Sequence, residues 1–195
     1  MKNIWFTADL HLGHRKVALE IGRPWKTIPE HDEAIIARWN LMVKPGDTTY
    51  LLGDFAMPQK VPGVDSMKLY RKYLNALNGK KILIKGNHDH MSQDMYKQFT
   101  EVHDMREIKI DGQYWFLCHY PMRSWNRSFY GVPHLFGHVH GRVPDRIDSM
   151  STDVGVDVKE ANYSPFPYDY LKEKMSKKYV LWREYWDKRN KDWKL

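Results

Sequence analysis

The sequence predicts an α/β fold on three observations. Short apolar runs alternate with helical stretches, two βα-type crossovers lie in the first half, and potential ligand side chains follow the ends of the apolar runs. The runs at 3–8, 49–52, 81–85, 107–110, 114–118, 134–136 and 153–156 read as strands. Segment 29–43 reads as a helix because Ala34, Ile35, Trp39 and Met42 fall on one face at helical spacing, and 65–77 reads as a second. Residues 58–63, rich in proline and glycine, read as a surface loop.

A chain of 195 residues with 42% hydrophobic composition can bury one sizeable core, so a single domain is expected over 1–195. The lone Cys118 excludes an intramolecular disulfide. No leader-like segment opens the chain and no apolar run reaches the length of a bilayer span, so the expected location is the cytoplasm, with no membrane partner. The net charge is +7, yet 172–195 holds nine Lys or Arg against four Asp or Glu. That extension therefore carries +5 and the rest only +2, so any electrostatic argument for a polyanionic partner applies mainly there. Tyr179, Trp182, Tyr185, Trp186 and Trp193 interleave with its basic residues, a composition suited to gripping single-stranded nucleic acid. The same aromatics also fit one packing face of a helix, and 179–182 fits an edge strand.

The placement of polar residues carries the chemistry. Asp9 and His11 follow the first strand, Gly53-Asp54 the second, Gly86-Asn87-His88-Asp89 the third, His119 a later one, and Gly137-His138-Val139-His140 another. In open α/β sheets, loops leaving the carboxyl ends of the strands converge on a rigid platform where ligands bind. Asp9-Leu10-His11 and His138-Val139-His140 each offer two donors spaced two apart, which extended backbone would point the same way. With Asp54, Asn87 and His119 there are seven nitrogen and oxygen donors and no thiolate. That donor set suits divalent transition metals, manganese first, with iron, nickel, zinc or cobalt as alternatives.

In order and content, these motifs over 9–140 resemble the signature of the calcineurin-like metallophosphoesterases. The resemblance implies a four-layer αββα sandwich of two mixed sheets flanked by helices. It implies that Asp9, His11 and His140 hold one metal, that Asn87, His119 and His138 hold another, and that Asp54 bridges them. Two divalent ions against two carboxylates leave about two positive charges uncompensated, enough to give a nucleophilic hydroxide near neutral pH and to neutralise phosphoryl oxygens. His88 is similar to the family's catalytic histidine, a transition-state stabiliser or general acid, with Asp89 expected to hold its ring.

Further residues extend the resemblance toward small stand-alone bacterial and phage members: Leu12-Gly13-His14, Arg23-Pro24-Trp25, and the loop His119 to Trp125. From it, Arg123 is expected to bind a phosphate oxygen, and Trp125 or Tyr120 to stack on a base or sugar. His14 is expected at the substrate and His90 in support of the site. Of the other histidines, His31 is expected to cap a helix or face solvent, and His103 and His134 have no local company. After Asp54 the chain reads Phe55-Ala56-Met57, without the acidic and arginine pair of phosphoprotein phosphatases or the histidine of double-strand-break nucleases. The expected activity is hydrolysis of a phosphodiester in a nucleotide or short nucleic acid. A phosphomonoesterase acting on a small metabolite is the alternative. An inactive protein-binding scaffold on the same fold is the competing class, disfavoured by the complete ligand set.

Overall fold

The computed structural model describes residues 3–58 and 65–191. Beyond Pro58, the loop expected over 58–63 lies outside the described residues, as does Trp193.

Two mixed sheets form the centre. The first has the order β4-β3-β2-β1-β9, built from Glu101–His103 (β4), Lys80–Ile84 (β3), Thr48–Leu51 (β2), Ile4–Thr7 (β1) and Phe166–Pro167 (β9). Its first four strands are parallel and β9 is antiparallel to β1. The second has the order β5-β6-β7-β8, built from Met105–Ile110 (β5), Gln113–Cys118 (β6), His134–Phe136 (β7) and Ser151–Asp153 (β8). Here β5 and β6 form an antiparallel hairpin, while β6, β7 and β8 run parallel. The last strand ends where 153–156 was expected to begin. Val154 to Val156 instead lead across to the first sheet, where Val156 N donates to Ala8 O.

The helices follow from capping and period. Ile28–Met42 (α2) starts at Thr27, whose hydroxyl accepts from Glu30 N, with Pro29 in the first turn where a missing N–H costs nothing. Ser66–Ala76 (α3) starts at Asp65, whose carboxylate caps Met67 N. Arg15–Glu20 (α1) and Gln93–Tyr96 (α4) are short and have no long periodic pattern to announce them. Tyr168–Lys191 (α5) settles the open alternatives for the basic extension as a helix.

Alternation along the strands divides the interior into two cores. Trp5, Leu51 and Leu83 face α2 and α3 together with Ile35, Trp39 and Leu74. Their neighbours Phe6, Leu52 and Ile84 face the second sheet, where Phe6 stacks on Trp115. Leu171, Met175 and Trp182 join α5 to this second core, and Lys178 Nζ donates to Ser151 O. The result is the helix, sheet, sheet, helix layering that the motifs implied. Among the described residues, no helix is long and apolar enough to cross a membrane.

Candidate metal and phosphoester site

The seven proposed donors meet where loops leave both sheets. The loop after β1 is laced to the loop after β2 by Asp9 N to Gly53 O at 3.0 Å and His11 N to Asp54 O at 2.9 Å. The loops after β6 and β7 are joined by Gly137 N to His119 O at 2.9 Å. Glycines permit this crowding. A Cβ on Gly53, at φ +87°, would lie 2.3 Å from His119 Nδ1, and one on Gly137 would lie 2.8 Å from Asp9 Oδ2.

Backbone conformation corrects one step of the sequence argument. Asp9, His11, Asp54, His138 and His140 all have positive φ, between 51° and 73°. The paired donors therefore converge through left-handed turns rather than by the side-chain alternation of an extended strand. Such turns cost non-glycine residues of order 1 kcal/mol or more each, and they collect where function over-determines the backbone.

Donor atoms of Asp9, His11 and His140 lie within 4.8 Å of one another, and so do those of Asp9, Asp54 and His119. Asp9 is common to both clusters, and Asp54, a member of the second, also approaches His11 of the first. Asp54 Oδ2 is 3.4 Å from His11 Nε2 and 3.6 Å from His119 Nε2, too far for good hydrogen bonds. Its Oδ1 accepts from His88 N at 2.9 Å. Asn87 Oδ1 is 3.0 Å from His119 Nε2 and 2.9 Å from His138 Nδ1.

The protonation pattern tests whether cations fit. His119 Nδ1 lies 2.7 Å from Leu52 O, a contact that only an N–H can make. Its Nε2 is then turned toward the Asn87 side-chain amide at 3.0 Å and Asp54 Oδ2 at 3.6 Å, the side on which a cation would be held. His11 Nε2 is buried without any hydrogen-bond partner. Burial, then the charges of Asp153, Asp54 and Asp157, push the fully buried Asp9 carboxyl well above the usual range. Burial, with Arg23 next, drives the His11 imidazole far below its ordinary value. His138 is held down by burial and by His119. A buried imidazole nitrogen without a partner and mutually repelling carboxylates form an arrangement that divalent cations relieve, and the donor set fits them.

Behind the donors lies a buried network that the sequence reading missed. His140 Nδ1 is 2.6 Å from Asp157 Oδ2. The buried Arg23 grips Asp157 through Nε at 2.8 Å and Nη2 at 2.7 Å. It also donates to the carbonyls of Asp9 at 2.7 Å and Leu10 at 3.0 Å, and to His31 Nε2 at 2.6 Å. His31 Nδ1 in turn donates to Asp32 Oδ1 at 2.7 Å, and Asp32 accepts from Gly13 N and from the Tyr73 hydroxyl. His31 is thus fully buried and neither caps α2 nor meets solvent. Burial pulls the Asp157 carboxyl up, but the His140 and Arg23 hydrogen bonds outweigh it and hold the group below its ordinary value. The Arg23-Pro24-Trp25 motif flagged Arg23. Nothing local marked Asp157, 134 positions away.

The remaining expectations divide. His88 approaches the site without joining either cluster, its ring centroid 5.4 Å from His11 and 5.1 Å from His14. His14 Nδ1 lies 3.0 Å from His11 Nδ1. Asp89 does not hold the His88 ring. Its carboxylate accepts from the backbone N–H groups of Asp54 at 2.9 Å, Phe55 at 2.9 Å and Gly86 at 2.8 Å, fixing the Asp54 turn instead. His90 is exposed, with its N–H on His88 O. Trp125 is a core residue, 8% exposed, whose indole donates to Val132 O at 2.9 Å, so neither ring face is open for stacking. Tyr120 is exposed and packs edge-on against His119 and His138, and Arg123 is exposed. His134 is buried, its Nδ1 3.2 Å from Phe116 O while its Nε2 accepts from Met122 N at 3.3 Å and lies 3.1 Å from Tyr120 O, and His103 lies between Glu101 and Arg106.

The chain is 28% identical over 184 residues to an uncharacterized protein, MJ1445, of Methanocaldococcus jannaschii, covering 93% of this chain and 96% of that one. It is 30% identical over 169 residues to the gene 66 protein of Mycobacterium phage D29, covering 73% and 81%. The crystal structure of a protein of unknown function, AQ665, from Aquifex aeolicus shares the fold at TM-score 0.60, with 22% identity over 89% of this chain and 99% of that one. The family model described as calcineurin-like phosphoesterase matches residues 2–195, and the chain belongs to that family.

Proposed function

We propose that the protein hydrolyses a phosphodiester in a nucleotide or short nucleic acid, using two divalent cations held by the seven donors. Asp9, His11 and His140 would hold one cation, Asn87, His119 and His138 the other, and Asp54 would lie between them. When bound, such a pair lowers the pKa of water and neutralises charge on phosphoryl oxygens. The observation that carries this reading is the position of Asp54 Oδ2, 3.4 Å from His11 Nε2 and 3.6 Å from His119 Nε2, with His11 Nε2 buried and without a hydrogen-bond partner.

The protein's own groups divide the remaining work. His88 is tied through its N–H to Asp54, so its ring is set relative to the donors while remaining free to stabilise developing charge or to protonate a departing oxygen. Asp89 holds the Asp54 turn in its left-handed conformation through three backbone hydrogen bonds. Asp153 and Asp157 add two carboxylates behind the donors, against the single guanidinium of Arg23. They reduce the surplus positive charge counted from the direct donors by about one. A site with little spare positive charge suits the single negative charge of a diester better than a monoester dianion. Arg23 adds nothing for substrate, because Asp157, two carbonyls and His31 occupy its donors.

Purified protein loaded with manganese should cleave bis-p-nitrophenyl phosphate faster than p-nitrophenyl phosphate, and chelation should abolish both reactions. Faster monoester cleavage would favour the phosphomonoesterase reading. Stoichiometric metal with turnover of neither would favour the scaffold.

A further inference from the structure

Beside the donors, a cavity of about 700 Å³ opens from His14 and His88. Its walls are Met57 and Pro58 from the segment after β2, and Met67 and Tyr70 from α3. Arg15 and Lys16 of α1 stand at its rim, both exposed. The volume falls within the range of about 300–1,000 Å³ usual for sites that enclose small organic groups.

The lining has a definite chemistry. Two thioethers and a phenol ring offer polarisable apolar surface to a flat ring, and methionine adapts its shape to such a partner. Arg15 makes one loose pair with Glu20, at 3.8 Å between charged atoms, and among the described residues Lys16 is in no ion pair. These cations remain available to an anion carried beyond the flat ring. His88, the group suited to protonate a departing oxygen, opens into the same cavity.

We propose that this cavity receives the leaving group of the reaction, and that the leaving group is a nucleotide whose base lies against Met57, Met67 and Tyr70 while its onward phosphate meets Arg15 and Lys16. The inference rests on the phosphodiesterase reading above and narrows it to a nucleotide chain. In the reaction, a water oxygen bonds to phosphorus and the P–O bond to the departing sugar breaks. One proton of that water is released, and the departing sugar oxygen is protonated with His88 as donor, His88 regaining its proton from solvent.

The test compares two diesters that share the retained nucleoside phosphoryl group, one losing a nucleoside and the other methanol. The sugar hydroxyl is the somewhat better leaving group, so binding is read from a lower KM and from the change in the ratio when the cavity is filled. With metal-loaded protein, kcat/KM for the dinucleoside ester should exceed that for the methyl ester by about tenfold or more, mostly through KM. Met67→Trp, which fills the cavity, should shrink that ratio, with metal content and melting temperature measured alongside to confirm folding. A third diester, a dinucleotide whose departing nucleoside carries a further phosphate, tests the rim: Lys16→Glu, an exposed position, should lower kcat/KM for it more than for the unphosphorylated dinucleoside ester. A wild-type ratio near one, or a ratio that a folded Met67→Trp protein retains, overturns the cavity assignment and leaves the phosphodiesterase reading standing. Turnover of neither ester overturns the underlying reading instead.

Discussion

Asp157 Oδ2 lies 2.6 Å from His140 Nδ1, while the same carboxylate is clasped by Arg23 through two nitrogens. A hydrogen bond from Nδ1 fixes the imidazole tautomer and aims Nε2 at the donor cluster, and Arg23 also grips the backbone of Asp9 and Leu10. One guanidinium thereby ties two loops of the first cluster together. Asp157→Asn should lower affinity at that cluster by about 10- to 100-fold, with the second site less affected, as read by calorimetric titration with manganese. Equal weakening of both sites would show that the pair acts on the whole platform.

His88→Ala should leave metal stoichiometry intact, because its ring belongs to neither cluster. Turnover should fall by about 10²- to 10⁴-fold with little change in KM, the range for loss of a positioned acid or charge stabiliser. Loss of metal from this variant would instead make the His88 ring a support of His11 and His14, beside which it packs, because the backbone N–H that meets Asp54 survives the substitution.

His134 predicts an acid sensitivity unrelated to the metal site. Burial, partly offset by the nearby Phe116 and Tyr120 carbonyls, pushes this imidazole down to about 4. An unfolded histidine takes up its proton near pH 6.5, so the native state binds fewer protons between the two values. Its contribution to stability is complete above pH about 6.5 and is lost as pH falls toward about 4, at most about 3 kcal/mol. Urea unfolding of His134→Gln should show a shallower loss of stability over that window than the wild type.

Trp125 should behave as a core residue and not as a binding platform. Trp125→Ala should cost about 3–5 kcal/mol through the cavity left in the second core. The milder Trp125→Phe should lose about 1 kcal/mol with the Val132 hydrogen bond and leave KM for dinucleoside esters unchanged. A rise in KM without destabilisation would return Trp125 to the substrate site.

The α/β class, six of the nine strands of the described residues within a residue or two, both long first-half helices and the order of the donors were readable from local pattern. Alternation along β1 to β3 and side-chain type at strand ends are properties of neighbouring residues, and they survive folding unchanged. Four features were decided only in three dimensions: the left-handed turns that gather the donors, the reach of Asp157 to Arg23 and His140, the turn to which Asp89 is bonded, and the burial of His31 and Trp125. Each depends on partners brought close by strand pairing or by the packing of elements on one another, at sequence separations of up to 134 residues. The short α1 and the two-residue β9 were likewise invisible, being too brief to show a period and stabilised by what they pack against. Sequence therefore named the groups that can ligate a cation, while tertiary structure set their aim, because a hydrogen bond requires proximity and direction that no spacing along the chain encodes.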